Sequence, residues 1–231
     1  MKRFLFTTLS LLLVMNLHAD GRRYVWTYEY LTMHRGEAEL ETYTDFSHVE
    51  TDSGRLNTTT LQYEYEIGMN DRYDVGIYQV FSQAPASPIQ YDGFKVRMRY
   101  RFGEKGKWFV DPLLYLEYKN NGALDHPKLE TKLILARDFD KFNVALNPVL
   151  EFEFEDDETE IEFEYAAGMS YKLHPLLTLG LEMKGSADSM YLGPTISHGK
   201  PDLWFGVGLL SPMMGDDVAD RKIRCIIGVA F

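Results

Sequence analysis

The sequence predicts an all-β protein, a single antiparallel up-and-down β-barrel of about twelve membrane-crossing strands behind a cleaved leader. Three observations predict it. First, the C-terminal residues alternate strictly. Ile223, Cys225, Ile227, Val229 and Phe231 share one parity, while Lys222, Arg224, Ile226, Gly228 and Ala230 share the other. Second, similar alternating segments recur along the chain, each about ten residues long with turn residues between. No apolar run after the N-terminus is long enough for a transmembrane helix. Third, residues 1–19 read as a secretory signal: Lys2 and Arg3, an apolar run over 4–14, then Ala19 at the cleavage point before Asp20.

The mature chain is taken as 20–36, a periplasmic or lumenal N-terminal segment, followed by a barrel over 37–231. In 20–36, Tyr24, Trp26, Tyr28 and Tyr30 alternate with Val25, Thr27, Glu29 and Leu31. That is strand-like, but a thirteenth strand would break the even count of single-chain bacterial barrels. The first barrel segments are 37–48, with Leu40 and Phe46 on the apolar face, and 59–69, with Leu61, Tyr63, Tyr65, Ile67 and Met69. Next come 73–82 (Tyr73, Val75, Ile77, Phe81) and 93–102 (Phe94, Val96, Met98, Tyr100, Phe102). Then follow 107–118 (Trp108, Val110, Leu114, Leu116, Tyr118) and 128–137 (Leu129, Leu133, Leu135).

The second half continues with 141–155 (Phe142, Val144, Leu146, Leu150, Phe152, Phe154) and 160–172 (Ile161, Phe163, Tyr165, Met169, Tyr171). Segments 175–185 (Leu177, Leu179, Leu181, Met183), 189–198 (Met190, Leu192, Ile196) and 202–211 (Leu203, Phe205, Val207, Leu209) precede the terminal strand. Tight turns are expected at 70–72, 103–106, 138–141, 172–175 and 199–202. The longer outer connections are expected at 48–58, 82–92, 119–127, 156–159, 185–190 and 211–220. This parity places both termini in the periplasm.

Composition agrees. Aromatic residues make up 14% of the chain, with 15 Tyr, yet mean hydropathy is −0.27 because alternate strand residues face water. One Cys excludes an internal disulfide framework. The formal charge of −11 argues against nucleic acid as a partner. With its closing Phe231, the last strand resembles the C-terminal targeting strand of Gram-negative outer-membrane proteins, which the barrel-assembly machinery recognises. Residues Tyr28-Glu29-Tyr30-Leu31-Thr32-Met33, followed by Gly36-Glu37-Ala38-Glu39, resemble the start of some uncharacterised, porin-like outer-membrane families. The implied location is the outer membrane of a Gram-negative bacterium, with lipid and lipopolysaccharide as neighbours. The oligomeric state is left open.

The parity opposite Phe231 should face the lumen, because Arg or Lys facing lipid at mid-depth costs about 2–4 kcal/mol. That face carries Glu39, Glu41, Asp45, Glu64, Glu66, Glu151, Glu153, Glu155, Glu160, Glu162, Glu164 and Glu182. Its basic set is Lys95, Arg97, Arg99, Arg101, Lys132, Lys184, Lys222 and Arg224. The functional expectation is a passive pore for small polar solutes, weakly cation-preferring, lined by Lys95, Arg97, Arg99, Arg101, Glu64, Glu66, Glu151, Glu153, Glu162 and Glu164. The basic strand at 95–101 is expected to face acidic walls across the lumen. The alternative is a non-conducting structural or surface-binding barrel with a packed lumen, since twelve strands fall between packed and open sizes.

Catalysis is the competing class. Ser197-His198 and Ser47-His48 are adjacent residues, which a strand points to opposite faces. No Gly-x-Ser-x-Gly occurs. His34, His126 and His174 fall in turns or loops, and Cys225 lies on the lipid parity. The acidic stretch 151–164 has oxygen ligands suited to Ca²⁺, but its spacing matches no calcium loop. No enzyme activity, catalytic residue, cofactor or metal site is assigned.

Overall fold

The computed structural model describes residues 21–51, 54–155, 158–200, 202–215 and 219–231. The expected leader, 1–19, lies outside the described residues. The first six strands are β1 (Ala38–Thr51), β2 (Gly54–Asn70), β3 (Tyr73–Gln83), β4 (Gln90–Arg101), β5 (Asp111–Asn121) and β6 (Lys128–Phe139). They continue as β7 (Phe142–Phe154), β8 (Thr159–His174), β9 (Leu177–Ser186), β10 (Met190–Lys200), β11 (Leu203–Met214) and β12 (Arg221–Ala230). Each pairs antiparallel with its sequence neighbour, and β1 pairs with β12, so the sheet closes into a barrel. The closing seam runs from Glu39 opposite Ala230 to His48 opposite Arg221. Closure leaves no open edge, which is the condition for a sheet to sit in lipid.

The expected alternation holds around the wall. Leu40, Tyr65, Ile77, Val96, Leu133, Leu150, Leu181, Phe205 and Ile227 all point outward and are exposed. The residues between them point inward. Glu64, Asp74, Arg97 and Glu182 are each no more than 1% exposed. The energetic reason is one-sided: an outward charge has no partner in lipid, whereas an inward charge finds one.

Three features differ from expectation. β5 begins at Asp111, not 107. Residues 102–110 form the longest connection at the end of the barrel that carries the termini, where a tight turn was expected. Gly103 (φ 67°) and Gly106 (φ 79°) adopt left-handed conformations there, and the Gly106 amide donates to Asp111 Oδ1 at 2.7 Å. Trp108 and Phe109 are thereby held out of the sheet, Phe109 at 94% exposure. At the opposite, far end, length is taken up by strand rather than loop. The β1–β2 hairpin is paired as far as Thr51 and Gly54, inside what was read as the 48–58 connection. Finally, the inward face is not uniformly polar: Leu113, Ile134, Leu210 and Ile226 point into the lumen and are fully buried.

Those inward apolar residues have a partner. Residues 21–36 form no strand. Tyr24 and Tyr30 pack with Leu113, Tyr115 and Ile134, while Val25 and Trp26 pack with Trp204, Leu210 and Ile226. The core of this protein is the inside of its barrel.

Candidate functional site: the lumen

Two sets of contacts organise the lumen. The first is an ionic network on β2, β3 and β4. Arg97 Nε donates to Glu64 Oε1 at 2.8 Å, and its Nη2 lies 2.7 Å from Glu66. Its Nη1 reaches Asp74 at 3.3 Å. Arg99 forks onto Asp74 at 2.9 and 2.7 Å and also pairs with Glu66. Gly76 makes room, because a Cβ there would lie 2.3 Å from Glu64 Oε1. Beside the network, Tyr43 donates to Glu64 at 2.8 Å and receives Arg22 Nη1 at 2.8 Å. Trp204 Nε1 donates to Glu39. Arg97 and Arg99 are therefore matched by carboxylates of β2 and β3, on the same side of the barrel, not by acidic walls across the lumen.

The second set holds the N-terminal segment. The Glu182 carboxylate accepts the amides of Val25 (2.8 Å), Trp26 (2.9 Å) and Thr27 (2.7 Å). Asn147 grips Tyr28 in both directions, accepting its amide at 2.6 Å and donating to its carbonyl at 3.0 Å. Tyr24 reaches Asn143 Oδ1 at 2.8 Å, and Asp74 accepts the Met33 amide at 2.9 Å. Arg224, clamped by Asp45, donates to the Val25 carbonyl at 3.1 Å. Each bond to an ionised acceptor in such a dry site is worth about 1.5–3 kcal/mol. The wall recedes where the segment is bulkiest: a Cβ on Gly208 would lie 2.3 Å from the Trp26 ring.

All ten residues proposed from sequence as pore lining sit at inward parity, but in unlike surroundings. Glu64, Glu66, Arg97 and Arg99 meet in the buried network. Lys95 is half-buried and faces Glu117 at 3.5 Å. Arg101 lies over the Tyr30 ring at 5.5 Å and donates to the Asp71 carbonyl. Glu151 shares Lys119 with Glu130, both at 2.6 Å, and Glu153 takes Lys128 at 2.7 Å. Glu164 meets Lys184 at 3.4 Å. Glu162 stands opposite Glu151 in the β7–β8 register and is exposed. The stacked carboxylates of the acidic hairpin are thus offset by lysines from β5, β6 and β9. Among the described residues, no group of His, Cys, Asp and Glu is placed to hold a metal ion. Ser197 is buried inward while its neighbour His198 stacks outside on Phe205, so the two do not meet.

Among the cavities of the described residues, two lie on either side of the N-terminal segment. The terminus-end vestibule holds about 280 Å³ and is bounded by Arg22, Glu29, Lys172, Thr178, Ser197 and Trp204. The far-end vestibule holds about 270 Å³ and is bounded by Trp26, Tyr28, Tyr78, Lys119, Glu151 and Lys184. Lys132 Nζ sits 4.3 Å from the Tyr115 ring and 4.6 Å from the Tyr28 ring, joining the far wall to the segment. Burial pushes the Glu29 carboxyl above the usual carboxylate range, against Arg23, which holds it down.

Sequence reasoning missed Glu182, Asn143 and Asn147 as anchors. The readable signal was the inward parity of Leu113, Ile134, Leu210 and Ile226, apolar residues where water was expected.

The closed barrel has known counterparts. An outer membrane channel from Pseudomonas putida F1 superposes with a TM-score of 0.64 at 11% identity, over 90% of this chain and 100% of that one. The NanC porin gives 0.56 at 10% identity, over 83% and 98%. The KdgM porin gives 0.55 at 13% identity, over 84% and 98%. No family model and no curated protein matches the sequence. The fold is that of the porin-like, twelve-stranded outer-membrane β-barrels.

Proposed function

We propose that the protein is an integral outer-membrane barrel for the passive passage of small polar solutes, with both termini periplasmic and a weak preference for cations. The observation that carries this reading is the pair of polar vestibules meeting at the N-terminal segment. Each is large enough for a small hydrated solute, and residues 21–33, packed on inward wall residues such as Tyr115, Ile134 and Leu210, lie between them. Lipid and lipopolysaccharide would cover the outward apolar face, and the assembly machinery would engage Phe231. A carboxylate-rich mouth favours cations. The residues assigned to that preference are Glu151, Glu153 and Glu162, because Arg97 and Arg99 are withdrawn into the buried network.

Planar-bilayer recording tests the reading. Discrete conductance steps are expected, with reversal potentials under a KCl gradient displaced toward the cation value. Replacing Glu151, Glu153 and Glu162 by Gln should reduce that displacement. The non-conducting alternative has an observation in its favour, the three amides locked on Glu182. Silence from a folded sample would establish it.

A further inference from the structure

The ionic cluster beside the N-terminal segment does not balance. Glu39 and Glu41 of β1, Glu64 and Glu66 of β2 and Asp74 of β3 supply five carboxyl groups. Arg97 and Arg99 of β4 and Arg22 of the segment supply three guanidiniums. All eight are at most 7% exposed. The register sets Glu39 opposite Glu66 and Glu41 opposite Glu64, which costs stability when both members are charged. The surrounding groups bring no further net charge. The phenols of Tyr28 and Tyr78 lie beside Arg22 and Tyr43, and Trp204 donates to Glu39. Arg224, near the Tyr43 ring, is matched by Asp45 at 2.6 Å, and His34 stands exposed at the rim. Tyr43 makes the imbalance local. Its hydroxyl receives Arg22 Nη1 at 2.8 Å and touches both Glu64, at 2.8 Å, and Glu41. A phenol carries one hydrogen, so it donates to one carboxylate only. The other carboxyl must bring a hydrogen of its own. Beside it, a cavity of about 20 Å³ bounded by Arg22, Thr32, Glu39, Glu41 and Glu66 is wide enough for one water. The Thr32 hydroxyl and Arg22 Nη2 are buried without a protein partner among the described residues.

We infer that this cluster is a proton-binding site: one proton, shared by Glu41 and Glu64 across Tyr43, is taken up when Arg22 brings the N-terminal segment into the lumen. A buried carboxylate with no cation of its own takes a proton rather than keep its charge. The segment is thereby a pH-sensitive latch. Seated, the cluster holds a proton that the carboxyls of a water-filled, unseated lumen release. Raising the pH therefore favours withdrawal, by up to about tenfold per pH unit for one linked proton. In that step a carboxyl O–H bond breaks and the proton passes to water by way of the small cavity. Glu41 and Glu64 are left charged side by side until the segment withdraws and water reaches them. In the channel reading, base is then the opening condition and acid the closing one. The proton site itself does not require conduction.

Two measurements on the full refolded barrel in neutral detergent test it. Infrared spectroscopy in heavy water at about pH 7 should show the carbonyl stretch of a protonated carboxyl, well above the carboxylate bands. Glu41→Gln should diminish that band. A band should survive in Glu29→Gln, which removes the buried carboxyl of the segment itself. Acrylamide quenching of Trp26 and Trp204, in a Trp108→Phe background, reports seating because both indoles are buried. Quenching should rise severalfold from about pH 6 to about pH 10 with the cluster intact. Glu41→Gln, which fixes the neutral form, should stay low across that range, and Glu162→Gln at the exposed rim should behave like the parent. Heat-modifiable gel mobility confirms that each variant is folded at each pH. A spectrum without a protonated-carboxyl band, or a band lost entirely in Glu29→Gln, overturns the inference whether or not Glu41→Gln folds. So does a folded Glu41→Gln barrel that keeps the full band or the pH response of its parent. A barrel silent in bilayers that shows both the band and the response would sink the channel reading and leave this one standing.

Discussion

At the scale of single residues, the lumen is governed by the cost of an unpaired buried charge. Arg97 is fully buried against Glu64, Glu66 and Asp74. Arg97→Met would strand carboxylates in a dry site. We expect a loss of about 3–5 kcal/mol, read by urea unfolding of the refolded barrel, and no comparable loss for Glu162→Gln at the exposed rim. Outward positions obey the opposite rule. Leu181→Arg should destabilise by about 2–4 kcal/mol if Leu181 lies near mid-depth. Heat-modifiable mobility in bilayers would measure it, and indifference there would mean that the lipid face has been misassigned. Glu29 adds a pH term. Its folded pKa is raised by burial, so its contribution to stability is full below the ordinary carboxylate value and declines as pH rises through the raised one. Glu29→Gln should therefore raise the melting temperature at neutral pH relative to wild type, with the difference vanishing toward pH 4.

At the scale of elements, the N-terminal segment and the strands are separable. Every strand finds its backbone partners in the next strand, whereas residues 21–33 are held mostly by side chains from the wall. Removing 21–33 should leave a folded barrel with larger unitary conductance. Glu182→Ala, which withdraws the acceptor of three amides, should move conductance the same way by a smaller amount. Unchanged conductance in both variants would place the ion path away from the segment. The strands were legible because lipid permits no exceptions: a charge on the wrong parity is so costly that alternation alone fixes which way Arg97 or Phe205 points. The lumen was far less legible. Parity says that Glu182 faces inward, but not that it meets Val25, which lies 157 positions earlier. The connection 102–110 was misread for a related reason. Trp108 and Val110 continue the alternation of β5, and only the two left-handed glycines before them break the strand.

At the scale of the whole molecule, the seam between β1 and β12 decides whether there is a barrel at all. Phe231 belongs to that seam, donating its amide to the Ala38 carbonyl at 2.9 Å and stacking its ring on Tyr65 at 6.1 Å. Deleting Phe231 should lower the yield of folded barrel in outer-membrane fractions, and normal yield would remove its assigned targeting role. The anchors of the N-terminal segment add a constraint of another kind, one of order in time. Tyr28 waits for Asn147, 119 residues on, and the Val25 carbonyl waits for Arg224, 199 residues on. Contacts so remote in sequence form slowly. The segment cannot settle before β7, β9 and β12 are there to hold it. Until it does, the half-built wall presents Leu113, Ile134, Leu210 and Ile226 to water, and the finished wall closes around a guest that its own beginning supplies.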